Sequence, residues 1–400
     1  MKVNKKYYKN KLLYKIFNHK ANTSIKLFII LFNFFFSYKY IEITKLKKNN
    51  LLSCYRKYIN DCYNLKNYRR KIIKNKYPYF SICLPVYNME KYIEKVILSI
   101  INQSFQDFEI VIVDDFSQDN TKNILKRLQL DGRIKILYHY KNIGVYASRV
   151  DGILNSKGKY ILCMDPDDLL VNPDLLKTLY NYNLIYNLDI IEFSVLHYNE
   201  KNNVLYLNPK KNHFHNFTKN IIFQPDLSDL YFYIPRTKNY SSVICTSIWN
   251  KVIRKEIILK TIIYIGKDYY NYYFITAEDT LTNIVNTQFA NNYSNINYPG
   301  YMYNIREKSM SHGIDNRKHQ ILFNYNYLLY NKKLYMIIKD FNKDRNFLFF
   351  NLLGTNFLLL QLKKIDKEKY TEINEFYQDI LKDKNISNIF KKYLNKSLYN

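Results

Sequence analysis

Glycine, proline and cysteine are scarce in this chain. Its 400 residues include only eight glycines and eight prolines, a combined share well below the roughly 12 per cent of average proteins. This excludes collagen-like repeats and extended flexible linkers. The five cysteines are odd in number and have no CxxC spacing, so neither a disulfide framework nor a zinc ribbon is indicated. We therefore expect free thiols in a reducing compartment.

Acidic residues are also in short supply. The chain has 61 Lys and Arg against 34 Asp and Glu, a net charge of +27, and residues 1–77 hold 20 of the basic residues with only two acids, Glu42 and Asp61. Such a tract suits an anionic membrane surface or nucleic acid. We favour the membrane, because the aromatic residues there follow helical spacing and do not suggest a stacking platform. For the charge itself, however, the favoured explanation is a composition biased towards Lys, Asn, Tyr, Ile and Phe throughout the chain, as an AT-rich coding sequence produces.

No hydrophobic run is long enough for an ordinary membrane-spanning helix. The strongest, within residues 27–38 (LFIILFNFFF at 27–36), lies between Lys26 and Lys39, whereas a span needs about 20 residues. Three interpretations stay open: a buried or surface-lying helix, a short signal anchor, or a cleaved signal peptide without the usual small-residue cleavage site. We expect a cytoplasmic protein or one at the cytoplasmic face of a membrane, with the signal anchor as the alternative.

From Pro78 onwards, short apolar runs alternate with segments of helical periodicity. The runs at 80–86, 108–113, 133–138 and 159–164 predict strands, and the segments at 90–101, 121–130 and 144–155 between them predict helices. This alternation is typical of right-handed βαβ units that form a parallel sheet covered on both faces. Residues 189–195 predict a further strand, and from residue 319 the pattern is helical.

Acidic residues follow two of these predicted strands. Asp114 and Asp115 end the second, and the turn 165–168 (DPDD) ends the fourth. Because the carboxyl ends of parallel strands share one edge of the sheet, where ligands bind, we expect both clusters there. Helix capping is the alternative role for such acids. The glycines form no GxG and no P-loop, so phosphate would be held through a divalent metal on carboxylates.

Five short motifs in register resemble the family 2 inverting glycosyltransferases of GT-A type fold. They are PVYN at 85–88, VDDFS at 113–117, DNT at 119–121, KYI at 159–161 and DPDD at 165–168. The resemblance covers about residues 78–195, with thinner similarity to about residue 312. It implies an α/β fold of GT-A type, Rossmann-like, with a mostly parallel sheet flanked by helices. Phe116, Asn120 and Val150 depart from the family's usual Gly, Gly and Asn.

The resemblance also implies roles for individual residues. The donor nucleotide would be bound by Pro85, Tyr87, Asn88, Asp115, Arg149, Asp167 and Arg306. Asp167 and Asp168 would hold Mn²⁺ or Mg²⁺, and Asp114 and Asp165 would shape their turns. Arg149 as a solvated or sheet-pairing residue is the alternative to its contact with the nucleotide.

The catalytic base implied by the resemblance is Asp279, with Glu278 beside it near the acceptor. They lie in AEDT at 277–280, downstream of WNK at 249–251. Two solvated acids in the first turn of a helix are the alternative. Arg306, in YMYNIR at 301–306, would neutralise the departing diphosphate. His312 is expected to be an ordinary surface residue, and so are His213 and His215, since a metal site needs three or four ligands.

The expected activity is metal-dependent transfer of a sugar from a nucleotide-sugar donor to an acceptor hydroxyl with inversion, and the expected donor is a UDP-sugar. The partners would be that donor, a glycan, lipid or protein acceptor, and a membrane bound peripherally through the basic N-terminus, with no nucleic acid. The expected organisation is a basic helical leader (1–77), a glycosyltransferase domain (78–312, with a nucleotide-binding half 78–195 and an acceptor half 196–312) and a helical extension (313–400). A catalytically silent binding or scaffold protein of the same fold is one alternative. A sugar nucleotidyltransferase is the other, although it would need a glycine-rich loop that this sequence lacks.

Overall fold

The structure is a computed structural model. It describes residues 76–202, 204–207, 221–224, 246–274, 277–306, 317–341, 370–371 and 374–375. The predicted basic leader, apart from its last two residues, lies outside this part of the chain, as do the segment 27–38, His213, His215 and His312. No helix within the described ranges combines the length and the apolar character that crossing a membrane requires.

Ten strands and eight helices are described. The strands are β1 (Phe80–Val86), β2 (Phe108–Asp114), β3 (Ile134–Tyr138), β4 (Tyr160–Cys163), β5 (Leu169–Leu170), β6 (Ile190–Asn199), β7 (Val204–Leu207), β8 (Ile221–Phe223), β9 (Lys251–Arg254) and β10 (Asn292–Ile305). The helices are α1 (Ile93–Ile101), α2 (Thr121–Leu128), α3 (Val145–Leu154), α4 (Leu175–Tyr186), α5 (Lys255–Ile265), α6 (Lys267–Asn271), α7 (Glu278–Phe289) and α8 (Arg317–Asp340). The helix α8 lies in the predicted helical extension.

All these strands join one sheet in the order β3-β2-β1-β4-β9-β6-β10-β5, with β7 beside β6 and β8 beside β10. The strands β1 to β4 pair in parallel through helical crossovers, as predicted. The strand β9 then pairs antiparallel with both β4 and β6, and β6 pairs in parallel with β10. The predicted α/β fold is confirmed, and its sheet is parallel in the first half and mixed in the second. The short strands β5, β8 and β9 need no helical crossover, because antiparallel neighbours can be reached through loops.

Apolar side chains alternate between the two faces of the sheet. In β1, Cys83 belongs to the core that packs against α3, α5, α7 and α8, whereas Ile82 and Leu84 belong to the core against α1, α2 and α4. Successive residues of a strand point to opposite faces, so a continuously apolar strand serves both cores. Helices therefore cover both faces and leave the strand ends open, with the carboxyl ends of β1, β2 and β4 side by side.

Candidate active site

The acidic turn 165–168 follows β4, and its last residue is buried. Asp168 accepts a hydrogen bond at Oδ2 from the Tyr301 hydroxyl (2.6 Å) and one at Oδ1 from the backbone N–H of Asn304 (2.8 Å). Burial, followed by the charges of Asp167 and Asp165, raises the pKa of Asp168 well above its ordinary value. Both oxygens thus contact β10. Asp168 is predicted to be a metal ligand. In the structure it connects the turn to β10.

Asp167, in the same turn, lies beside Arg306. Oδ2 of Asp167 is 2.5 Å from Nη2 of Arg306, and both side chains are mostly buried. The Arg306 guanidinium also lies over the Tyr92 ring, 4.7 Å from its centre. Burial raises the pKa of Asp167, although Arg306 opposes this effect. The structure therefore brings together two residues predicted to bind the donor, from positions 139 residues apart in the chain.

Arg149, on α3, contacts three carboxylates at once. Its Nη1 donates to Oδ1 of Asp279 at 2.7 Å and lies 3.5 Å from Oε1 of Glu278, and its Nη2 donates to Oδ1 of Asp165 at 3.2 Å. The predicted base and the acidic turn thus meet around one buried guanidinium. Burial raises the pKa of Glu278 to about 7, and the charge of Asp279 adds to this rise while Arg149 opposes it. The pKa of Asp165 is also raised to about 7, first by burial.

The first turn of α7 presents Glu278 and Asp279 directly after a strained residue. Ala277 has φ of +65°, a left-handed conformation that costs a residue with a Cβ about 1–2 kcal/mol. Oδ2 of Asp279 lies 3.4 Å from the backbone N–H of Ile248, just before β9. Both acidic side chains are largely buried, so they are not the solvated pair of the alternative interpretation. The N-terminus of the helix favours their negative charge.

Asp115, at the end of β2, holds the loop that leads into α3. Its oxygens accept hydrogen bonds from the backbone N–H groups of Ile143 (2.9 Å) and Gly144 (2.8 Å), and Oδ1 lies 2.8 Å from Nδ1 of His139. The other ring nitrogen of His139 is 3.0 Å from Oδ2 of Asp151 on α3. In this structure the predicted nucleotide ligand Asp115 therefore positions the helix that carries Arg149.

The loops after β1 and β2 are joined to each other. The backbone N–H of Asn88 donates to the Ser117 hydroxyl (2.9 Å), and the Asn88 side chain accepts from the Gln118 N–H (2.8 Å). Tyr87 and Phe116 remain 42% and 44% exposed at this rim. Pro85, by contrast, is buried inside β1. Of the residues predicted to border the base, Tyr87 and Asn88 lie at the open edge and Pro85 lies beneath it.

The sequence analysis did not identify several residues of this edge as parts of the site. Tyr301 and Asn304 hold Asp168, and His139 links Asp115 to α3. The Trp249 ring stacks on Tyr301 and Tyr303, with ring centres 5.1 Å apart in each pair. His139 follows β3 directly, so the rule that ligand-side residues follow parallel strands could have identified it. Nothing in the sequence indicated the contact between Tyr301 and Asp168.

The described residues contain no cluster of three or more His, Cys, Asp or Glu arranged to hold a metal ion. A complete protein cage is not required, because Mg²⁺ in nucleotide sites commonly uses one or two carboxylates together with the substrate's phosphates. Asp167 offers a carboxylate oxygen of the hard type that Mg²⁺ and Mn²⁺ prefer. Asp167 therefore fits such a metal, whereas both oxygens of Asp168 already have protein donors.

Comparisons with known proteins point to one family. Residues 81–258 match the family model described as glycosyl transferase family 2. An uncharacterized glycosyltransferase of Haemophilus influenzae is 39% identical over 103 residues, which are 26% of this chain and 41% of the relative. Glycosyltransferase GlyA of Streptococcus pneumoniae is 35% identical over 127 residues, 32% of this chain and 18% of the relative. The chain therefore spans less than half the length of each of these two curated relatives.

A crystal structure of S. aureus TarS 1-349 in complex with UDP-GlcNAc is 20% identical, with a TM-score of 0.49, and the alignment covers 75% of this chain and 81% of that one. The family match ends before Asp279 and Arg306, but it contains β1 to β4 with the acidic turn. Residues 81–258 of this chain are therefore similar to glycosyl transferase family 2.

Proposed function

We propose that this chain is a glycosyltransferase that moves a sugar from a UDP-sugar to an acceptor hydroxyl, with inversion and with the help of Mn²⁺ or Mg²⁺. The observation that carries the proposal is the meeting of Asp279 with the acidic turn around Arg149. The similarity of residues 81–258 to glycosyl transferase family 2 supports the class of reaction. The arrangement supports the class by placing a partly exposed carboxylate close to the turn after β4, where the donor would bind.

Inverting transfer needs a base that removes the acceptor's proton while the acceptor oxygen attacks the anomeric carbon from the side opposite the leaving nucleotide. Asp279 suits this role, because its side chain keeps 23% of its surface exposed while Arg149 holds one of its oxygens. Glu278 lies deeper, with a pKa near 7, so it is partly protonated at neutral pH. Asp279, the more exposed of the two, is therefore the acid that an acceptor hydroxyl can reach.

Negative charge grows on the diphosphate as the bond to the sugar breaks, and cations at that point stabilise the transition state. A divalent metal on Asp167 would supply such stabilisation when bound. Arg306 contacts Asp167. When the donor binds, Arg306 would contact a phosphate oxygen in place of this carboxylate. Membrane association through residues 1–77, the acceptor and the division into domains remain predictions.

The test is UDP release by the 400-residue chain from UDP-glucose, UDP-galactose and UDP-N-acetylglucosamine, with Mn²⁺, with Mg²⁺ and with a chelator. We expect turnover only with metal, at least a hundredfold slower in Asp279→Asn, since a general base contributes about 10²–10⁴ in rate. Asp174→Asn is the matched control, because this exposed carboxylate accepts a hydrogen bond from the exposed Ser104 hydroxyl (2.6 Å). The anomeric configuration of the product, read by NMR, tests inversion. Equal turnover in wild type and Asp279→Asn would contradict the assignment of the base.

A further inference from the structure

The Arg149 side chain is enclosed by carboxylates. It retains only 6% of its exposed surface, and its two terminal nitrogens are already directed at Asp279, Glu278 and Asp165. Its Nε is buried with no hydrogen-bond partner among the described residues. The guanidinium therefore offers little surface to a nucleotide, in contrast to the role that the family resemblance implied.

We propose that Arg149 is a positioning residue for sugar transfer, which fixes the carboxylate of Asp279 relative to the turn after β4, and that it does not bind the donor nucleotide. This inference rests on the proposed function. It assigns to α3, a helix of the nucleotide-binding half, the task of placing the base that α7 carries.

The orientation of Asp279 depends on contacts from two directions. Nη1 of Arg149 approaches Oδ1 from α3 at 2.7 Å, and the N–H of Ile248 faces Oδ2 from the segment before β9 at 3.4 Å. The shorter of the two contacts is the one to Arg149, and it is charge-assisted, which makes it the stronger hydrogen bond. Loss of Arg149 would leave Asp279 held by the weaker contact alone. A shift of about 1 Å in a catalytic group can cost about a hundredfold in rate.

The second consequence is electrostatic. The groups that face the Asp279 and Glu278 pair are Arg149 and Tyr146 from α3, Cys163 from β4 and Asp165 from the turn. Arg149 is the cation among them. Removing a cation from a group of carboxylates favours their protonated forms. The pH at which the base becomes ionised should therefore rise when Arg149 is replaced by a neutral residue.

The experiment compares Arg149→Met and Arg149→Lys with wild type. The control is Arg254→Met, because Arg254 forms an equally close buried pair with Asp189 (2.6 Å) at the amino end of β4. We would measure kcat and KM for the UDP-sugar that wild type uses best, the pH profile of kcat, and the Kd of UDP with Mn²⁺ by calorimetry. Thermal unfolding reports whether each variant is folded.

For Arg149→Met we expect kcat to fall about a hundredfold, as for a misplaced catalytic group, with the Kd of UDP within about threefold of wild type. The acidic limb of its pH profile should move to higher pH by about one unit, the direction that loss of a nearby positive charge requires. Arg149→Lys should keep the limb in place and lose less kcat. Arg254→Met should leave the acidic limb in place and kcat within about threefold of wild type, since Arg254 lies outside the site.

A tenfold or greater weakening of UDP binding in Arg149→Met with kcat preserved would show that Arg149 binds the donor, and would overturn the inference. Unchanged kcat and pH profile in both folded variants would also overturn it. If Arg149→Met fails to fold, the folded Arg149→Lys variant serves as the test. Wild-type kcat and UDP affinity in Arg149→Lys at every pH would show that the geometry of the guanidinium is not needed, and would overturn the inference. A wild-type chain that neither binds UDP nor releases it from UDP-sugars contradicts the proposed function instead.

Discussion

The amino and carboxyl ends of the strands each have an arginine beside acidic groups, but the two places differ in the balance of charge. At the amino end, Arg254 faces one carboxylate, Asp189, whose second oxygen accepts from the backbone N–H of Asn291 at 2.8 Å. At the carboxyl end, Arg149 faces three carboxylates. A balanced pair with satisfied oxygens stabilises the fold. An excess of buried carboxylates lowers the stability of the fold. Such an excess is expected at a site that binds cations or takes up protons.

Backbone strain follows the same division. Among the residues that the structure describes, four other than glycine have positive φ: Asn88, Phe116, Asn187 and Ala277. Three of them lie at the carboxyl ends of the strands: Asn88 and Phe116 in the loops after β1 and β2, and Ala277 just before the predicted base. The fourth, Asn187, ends α4 in the left-handed conformation common at helix C-termini. Strain of this kind persists where the surrounding structure enforces it and is concentrated at functional sites.

The largest expected effects are a loss of activity on substitution at the carboxyl ends of the strands and a loss of stability on substitution at their amino ends. Asp279→Asn should lower kcat at least a hundredfold, about 3 kcal/mol or more of barrier, with little loss of stability because it removes one of three crowded negative charges. Asp189→Asn should leave kcat within about threefold but lower the free energy of unfolding by about 2–3 kcal/mol, because it leaves Arg254 without its charged partner. Steady-state kinetics and urea unfolding test both. A loss of activity in Asp189→Asn without loss of stability would contradict the division.

The next effect concerns pH and Glu278. A carboxyl whose pKa is near 7 in the folded chain and near 4.3 in the unfolded chain retains its proton longer when folded, so stability falls as pH rises between these values. Glu278→Gln should remove this loss. We expect the variant to match wild type at pH 4 and to exceed it by up to about 3 kcal/mol at pH 8, since each pKa unit corresponds to about 1.4 kcal/mol. Urea unfolding across this range is the measurement, and a constant difference at all pH values would contradict it.

A smaller effect is expected from Tyr301→Phe. It removes the hydroxyl that donates to Asp168 at 2.6 Å and leaves a buried carboxylate oxygen without that donor, at a cost of about 1–3 kcal/mol. Because Asp168 shapes the turn that carries Asp167, metal-dependent UDP binding should weaken as well. Calorimetry with UDP and Mn²⁺ measures the second effect. Tyr303→Phe is the matched control, since Tyr303 also stacks on Trp249. Equal losses in both variants would contradict the assignment of the effect to the contact between Tyr301 and Asp168.

The smallest effect is the relief of strain. Phe116→Gly and Ala277→Gly should each stabilise the fold by about 1 kcal/mol or less, because glycine adopts positive φ without a Cβ clash but has more freedom to lose on folding. Asn187→Gly should gain less, since Asn tolerates this conformation. Thermal unfolding ranks the three. A gain at Asn187 that exceeds those at Phe116 and Ala277 would contradict the concentration of strain at the carboxyl edge.

The sequence predicted the first half of the fold well, because β1 to β4 are apolar runs separated by helical periodicity and closed by acidic turns. It predicted the edge where Asp115 and Asp167 would lie for the same reason. The mixed second half was harder, since the short strands β5, β8 and β9 carry little periodicity. The contacts of Arg149 with Asp279 and of Asp168 with Tyr301 and Asn304 could not be predicted, because they join residues 130 to 136 positions apart and depend on how α7 and β10 pack.

Because Tyr301 and Asn304 hold Asp168, the turn after β4 can reach its final conformation only after β10 has been made. During synthesis, the first four strands leave the ribosome long before β10, so the turn after β4 is made without the two groups that secure it. A fragment ending at residue 258, where the family match stops, would contain the motifs that identify the family and yet lack the means to hold them in shape. The shortest competent form of the protein should therefore extend at least through Arg306.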